Sequence, residues 1–254
     1  MGVQGLIGVL ERMFGNDEWI KQQSTLQQLA DRANVTGNKK IIAVDAMNFL
    51  FYLAGLKTTR GVKMEVTTFC EMMARAGLRA LFVFDNANLS EERKRRARVR
   101  KEQRKAALSK LQETGQMNAF ERVDKARKLE VLRTRTICVT PNEIAEARQV
   151  LGESGICTVL ECADVADSVC ADAVRNGIAT WCLSNDSDMF VDGCPRILRM
   201  YDPATGSFDE WDTMRIFNTL RLTKEEFGLR VKSQDGQRLT HGQIFEALGG
   251  TLAG

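Results

Sequence analysis

Apolar residues in this chain fall into short continuous runs closed by polar residues, and three of those runs end in aspartate. Ile41-Ile42-Ala43-Val44 closes on Asp45, and Ala80-Leu81-Phe82-Val83-Phe84 closes on Asp85. The third, Ile178 to Leu183, closes on Ser184-Asn185-Asp186-Ser187-Asp188. Apolar runs of this length between turn residues predict buried strands, and Gly155–Leu160 and Arg196–Met200 predict two more. Helical spacing covers Met47–Leu56, Thr67–Ala76, Thr213–Leu222 and Lys224–Phe227. Residues 2–14 predict a short helix, and 17–34 a polar stretch that is helical toward Leu26–Ala33. A helix starts at Thr140-Pro141-Asn142-Glu143, with proline early, and another at Asp164, its expected N-cap. Ile244–Leu248 is a last apolar segment. This alternation predicts an α/β fold, a mostly parallel central sheet with helices on both faces.

In such a sheet the carboxyl ends of the strands lie along one edge, where ligands bind. Asp45, Asp85, Asp186 and Asp188 are expected there. Asp164 and Asp167, three residues apart on a helix start, share a face; capping accounts for Asp164 and less well for Asp167. A single D-x-D can be a polar turn, but here the acid-tipped strand repeats. Neighbouring carboxylates repel unless a positive charge stands between them, and hard divalent cations take oxygen ligands. Six acids suit two ions, Mg²⁺ or Mn²⁺, of the kind that cleave phosphodiesters.

From Asn86 the composition changes. Arg93 to Lys105 holds nine basic residues in thirteen, too few of them apolar for a core helix. The helix-prone, charged stretch continues to about Leu132, so residues 87–135 are expected to form an inserted helical arch between two parts, 1–86 and 136–254, of one domain. A charge run can be a solvated helix or a nuclear-localisation signal. Its start eight residues after Asp85 favours a phosphate-binding arm, with Arg93, Lys94, Arg95, Arg98, Arg100 and Lys101 as candidate contacts. Arg60, in a basic loop over Thr58–Lys63, is another.

The totals exclude other classes. The net charge is only +3 over 254 residues, so basic character is local. Seven cysteines without a C-x-x-C pair, and one distant histidine, argue against zinc. Scattered, odd-numbered cysteines fit reduced thiols and an intracellular protein. No apolar run reaches membrane-spanning length, and the N-terminus has no signal-peptide pattern.

The motifs together resemble those of the XPG/flap-endonuclease family of structure-specific nucleases. Met1-Gly2-Val3-Gln4-Gly5-Leu6 is similar to its M-G-I-x-G-L start, Val44-Asp45-Ala46 to its I-D-A motif, and Phe82-Val83-Phe84-Asp85 to its V-F-D motif. The basic run resembles its gateway helix. Gly155 to Ala171 occupies the place of its E-x-E segment, and Ser184 to Asp188 that of T/S-x-D-x-D. The resemblance implies a PIN-like 5′-nuclease fold and metal ligation by Asp45, Asp85, Asp186 and Asp188. It also implies Gly2 near the active site, scissile-phosphate contacts from Lys94, Arg95 and Arg98, and base stacking by Phe51, which by pattern alone reads as core. It further implies branched or 5′-ended DNA as substrate, at a nuclear or viral site of replication.

Three departures stand out. Val165 and Asp167 occupy the E-x-E positions, leaving Asp164 to stand in for the first acid. The Asp45–Asp85 interval is short. No acid follows Glu246, so the late L-G-x-D-Y motif, the helix–hairpin–helix and any sliding-clamp peptide are not seen. The implied protein is a divergent or C-terminally short member, of the sort a large DNA virus carries. A catalytically impaired nucleic-acid-binding protein and a ribonuclease stay open as alternatives, because phosphate contacts do not read the 2′-hydroxyl.

Overall fold

In a computed structural model of the protein, the described residues are Val3, 5–56, 60–85, Val99, Glu102, Ala106, Ser109, 139–163, 165–231 and 241–249. Seven strands form one sheet: β1 Lys21–Thr25, β2 Ile41–Asp45, β3 Arg79–Asp85, β4 Cys157–Cys162, β5 Trp181–Leu183, β6 Arg196–Asp202 and β7 Ser207–Asp212. Their order is β1-β7-β6-β5-β2-β3-β4. The five strands from β6 to β4 are parallel, and β7 and β1 extend the sheet antiparallel. The mostly parallel sheet expected from the strand–helix alternation is thus present.

The antiparallel pair is what the apolar pattern did not reveal. In β1, Lys-Gln-Gln-Ser-Thr buries only Ser24, so the strand carries no apolar signature. It is specified by its partner, through the register Lys21↔Trp211 to Thr25↔Ser207. The turn expected at Asp202–Gly206 joins β6 to β7. Asp202 accepts from the Ala204 amide and the Thr205 hydroxyl, and Gly206 takes a φ of +67° where a Cβ would stand 2.4 Å from Met72 Cε.

Helices cover both faces. On one lie α1 (Leu6–Phe14), α6 (Ala166–Arg175), α7 (Asp188–Val191), α8 (Thr213–Leu220), α9 (Lys224–Val231) and α10 (His241–Ala247). On the other lie α2 (Leu26–Thr36), α3 (Ala46–Gly55), α4 (Gly61–Arg75) and α5 (Pro141–Glu153). The second face holds an aromatic cluster in which Phe49, Phe69, Phe82 and Tyr201 meet at ring-centroid distances of 4.9–6.1 Å. α5 begins as expected: Thr140 and Glu143 form a reciprocal capping box with Pro141 in the first turn.

Several boundaries move. β5 starts at Trp181, three residues later than its apolar run, and Ile178 is half exposed. α6 is preceded by Val165 as N-cap, without a side-chain cap, so the capping role expected for Asp164 is not seen. Asp164 itself lies outside the described residues. α4 begins at Gly61, so Lys63 is helical rather than in a loop. Of the arch at 87–135, only Val99, Glu102, Ala106 and Ser109 are described; all four are helical and exposed.

The buried polar centre of β7 is Glu210, which receives hydrogen bonds from Trp181 Nε1 at 3.0 Å, Ser24 Oγ at 2.7 Å, Gln22 Nε2 at 3.0 Å and the Arg32 guanidinium. Leaving a buried donor without its acceptor costs about 1–3 kcal/mol, and both the Trp181 indole and the Ser24 hydroxyl are buried. Glu210→Leu is therefore expected to lower the urea unfolding free energy by about 3 kcal/mol, with no change in metal affinity.

Candidate active site

The sheet reverses direction at β2: the chain runs outward through β3 and β4, then returns to place β5 on β2's other side. Such a switch point leaves a crevice at the carboxyl ends of the strands. Four elements deliver acids to it.

Asp45 ends β2 and caps α3, accepting from the Asn48 amide at 3.1 Å and from Ser184 Oγ at 3.3 Å, and it is only 6% exposed. Asp85 ends β3 and accepts from the Ala166 amide at 2.8 Å, which ties it to the start of α6. Asp167, in the first turn of α6, meets the Asp45 carboxyl directly. Asp186 and Asp188 occupy the turn from β5 into α7. There the Asp188 amide donates to Asp186 Oδ1 at 3.1 Å, and the Asp186 amide to Ser184 Oγ at 3.1 Å. Of the six acids expected, five are therefore brought to one edge, and Asp164 lies outside the described residues.

Two carboxyls in contact cannot both ionise at ordinary cost. Burial raises Asp167 to about 8, reinforced by its hydrogen bond to Asp45 and by the charges of Asp45 and Asp186. Burial also raises Asp45, and the Asp85 charge adds to this, while hydrogen bonds from Asp167, the Asn48 amide and Ser184 oppose it. The consistent arrangement has Asp167 holding the proton and donating it to Asp45. Asp167 Oδ1 is buried without a partner.

Among the described residues, no three Asp, Glu, His or Cys side chains stand in a formed coordination sphere. The donors nonetheless fit divalent cations. All are hard oxygens, they gather at one crevice, one oxygen has no partner, and one proton sits where a cation would relieve the same repulsion. Asp45, Asp85, Asp167, Asp186 and Asp188 are the groups that would hold such ions.

The pattern also missed residues. Asn48 Oδ1 accepts from the Asn185 amide at 2.9 Å, and Asn185 Oδ1 accepts from the Met200 amide at 2.8 Å. Arg199, 7% exposed, donates to the Asp186 carbonyl at 3.2 Å. A charge inside the apolar run Ile197-Leu198-Arg199-Met200 was the available signal for Arg199. Nothing local marked Asn48. The N-terminal segment reaches the same turn, because Ser187 Oγ donates to the Val3 carbonyl at 3.1 Å. Gly2, next to it, lies outside the described residues, as do Arg93, Lys94, Arg95, Arg98, Arg100 and Lys101. Phe51 is 42% exposed, which overturns the core reading and leaves its ring open to a ligand. Arg60 is exposed immediately before α4.

Residues 158–231 match the XPG I-region. The chain is 27% identical over 244 residues to flap endonuclease 1 of Babesia bovis, covering 89% of this chain and 33% of that protein. It is 25% identical over 204 residues to flap endonuclease 1-A of Sorghum bicolor, covering 73% and 51%. The chain is thus similar to flap endonucleases along most of its length, and to the XPG I-region over residues 158–231. It spans between a third and about half of the length of these XPG-family relatives. The fold is shared with solved nucleases. The Methanococcus jannaschii flap endonuclease-1 superposes with a TM-score of 0.57 at 15% identity, over 96% of this chain and 76% of that one. The Holliday junction-resolving enzyme GEN1, in complex with product DNA, Mg²⁺ and Mn²⁺ ions, superposes with a TM-score of 0.60 at 14% identity, over 97% and 50%.

Proposed function

We propose that this chain is a metal-dependent, structure-specific DNA nuclease that hydrolyses phosphodiesters near a 5′ end or flap, acting in replication, repair or recombination inside the cell. The observation that carries this reading is the convergence of Asp45, Asp85, Asp167, Asp186 and Asp188, from four separate elements, on the crevice at the switch point. The XPG I-region match, the similarity to flap endonucleases and the DNA complexes among its structural neighbours support it.

Two Mg²⁺ or Mn²⁺ ions held there would activate water and stabilise charge on the phosphate and the leaving oxygen. The chain's own groups divide the remaining work. Asp45 and Asp85 are fixed by the amides from which they accept; Asp186 and Asp188 are presented by the turn from β5 into α7. Asp164, beside Asp167, is proposed as a further ligand from sequence. An edge this acidic repels a phosphate backbone. The counterweight is the basic run, with Lys94, Arg95 and Arg98 on the scissile phosphate and Arg60, Arg93, Arg100 and Lys101 on the flanking backbone. Gly2 is proposed to line the crevice beside Val3. The whole is proposed as one nuclease domain, with residues 87–135 as its arch.

Incubation of the protein with labelled 5′-flap DNA, blunt duplex, single-stranded DNA and the same flap in RNA, with Mg²⁺ and with EDTA, tests this reading. Cleavage of the DNA flap in Mg²⁺ alone is expected. Binding without cleavage of any substrate would instead establish a recognition protein, and preference for the RNA flap a ribonuclease.

Phe51 lies three residues beyond Asn48 on α3, on the same helix face as the crevice. Stacking of a base on an aromatic ring contributes about 1–3 kcal/mol. Phe51→Ala is expected to weaken flap-DNA binding, measured by fluorescence anisotropy, by about tenfold. An exposed ring contributes little to folding, so the unfolding free energy should change by no more than about 0.5 kcal/mol.

A further inference from the structure

β6 runs beside β5 in register, with Cys182 opposite Ile197 and Leu183 opposite Leu198, and the ladder closes with the Ser184 amide donating to the Leu198 carbonyl at 3.1 Å. There β6 changes character. Against β7, its pairs pass from Arg199↔Asp209 to Asp202↔Ser207, so β6 carries one extra residue. That is a bulge, which bends a strand and re-aims its side chains. Met200 sits in it at a φ of +52°, a conformation that L-residues other than glycine, asparagine and aspartate seldom adopt. The Met200 side chain is half exposed, so its own packing does not account for the strain.

The distorted backbone has a clear product. The Met200 amide leaves the sheet and donates to Asn185 Oδ1 at 2.8 Å, and the buried Arg199 guanidinium reaches the Asp186 carbonyl at 3.2 Å. Asn185 in turn donates its amide to Asn48 Oδ1 at 2.9 Å, three residues from Asp45. One unbroken chain of hydrogen bonds therefore joins the β6 bulge, the Asp186 turn and the N-terminus of α3, where Asp45 stands. Strained residues persist where surrounding structure over-determines them, and they concentrate at functional sites.

We propose that Asn185 and Arg199 are positioning residues for cation binding, transmitting the geometry of the Met200 bulge to the Asp186 carboxylate and fixing its separation from Asp45. This rests on the nuclease reading above. Neither residue touches the ions; each holds the backbone that presents a ligand, as outer-shell groups do in metal sites.

Mn²⁺ binding to the full chain, followed by isothermal titration calorimetry without DNA, tests the proposal. Asn185→Ala alters no charge and is expected to weaken Mn²⁺ binding by about tenfold or more. Arg199→Met separates position from charge. Loss of a cation beside the acids would tighten Mn²⁺ binding if only charge mattered, whereas loss of position weakens it. Met200→Gly, at home at positive φ, should bind as the wild type does, while β-branched Met200→Val should bind more weakly. Circular dichroism identifies any variant that does not fold, and the pair Met200→Gly and Met200→Val then decides. Wild-type affinity in both Asn185→Ala and Met200→Val, with Asp186→Ala defective, overturns the positioning proposal and leaves the nuclease reading intact. Wild-type affinity in Asp186→Ala overturns both.

Discussion

Asp186→Ala is expected to lower the rate of Mg²⁺-dependent flap cleavage by about a thousandfold or more at saturating DNA, with the protein still folded. Electrostatic stabilisation by positioned ions supplies several kcal/mol of transition-state energy, and each ~1.4 kcal/mol is a factor of ten. The Asp186 amide bond to Ser184 Oγ and its carbonyl bond from Arg199 are main-chain contacts that alanine retains; the bond from the Asp188 amide to Oδ1 is lost. DNA binding should survive or strengthen, because one repulsive charge leaves the crevice. Asp45→Asn is the companion variant. It retains an acceptor for the Asn48 amide and so preserves the α3 cap while removing a charge. Single-turnover kinetics on labelled flap DNA, with gel-shift affinity alongside, would check both. Cleavage by Asp186→Ala within a few-fold of wild type would sink the active-site assignment.

The second expectation concerns pH. Asp167 is raised to about 8, first by burial and then by Asp45, against an unfolded carboxyl near its ordinary value of about 4. In the metal-free protein the folded state therefore binds more protons than the unfolded state between about pH 4 and about pH 8. Stability falls with rising pH wherever the native state holds the extra proton. This contribution is complete below about pH 4 and is lost as pH approaches 8. Glu143, Asp202 and Glu226 are lowered by their capping and turn hydrogen bonds and act with the opposite sign, but only in the acid range. Cys157, lowered to about 7 by its hydrogen bond with Cys70, opposes the trend from near pH 7 upward, so the window from about pH 5 to about pH 7 reports on the crevice. Urea unfolding in EDTA should show a loss on the order of a few kcal/mol across it. Excess Mg²⁺ should flatten or reverse the slope, since a cation takes the place of the proton and binds the native state alone. Asp167→Asn should abolish the slope in EDTA; if the slope persists, the proton resides elsewhere.

What the sequence disclosed and what it hid follow from the range of the interactions involved. β2, β3 and the end of β5 are buried on both faces, so their apolar runs and terminal aspartates are local signals and survive in the primary structure. The α5 start was equally legible, because a capping box lies within four residues. β1 was not, since its register is supplied by β7 nearly two hundred residues later. The same holds for the supporting groups of the site. Asp45, Asp85, Asp186 and Asp188 declare themselves by standing at strand ends. Asn48 joins the site only because Asn185 folds against it, and Met200 only because β6 bulges. Asp167 was expected at the edge, and its direct contact with Asp45 depends on how α6 docks on β2, which no spacing encodes. Phe51 carries the opposite lesson: an aromatic in a strongly apolar helix can face solvent when the core already has Phe49, Leu50 and Leu53.

The switch point that gathers the acids also sets when they can act. β2 leaves its crevice side unpaired until β5 arrives, and Ala43 finds Cys182 across an interval of well over a hundred residues that includes the whole basic segment. Closing so long a loop is slow relative to forming the neighbouring helices and the β2–β3 pair. Until then Asp45 and Asp85 stand beside each other without Asp186 and Asp188. A chain caught partway through synthesis or folding would thus carry its basic segment before its acidic crevice was complete. On the proposed nuclease reading, cation affinity then reports a finished sheet, and cleavage waits for it.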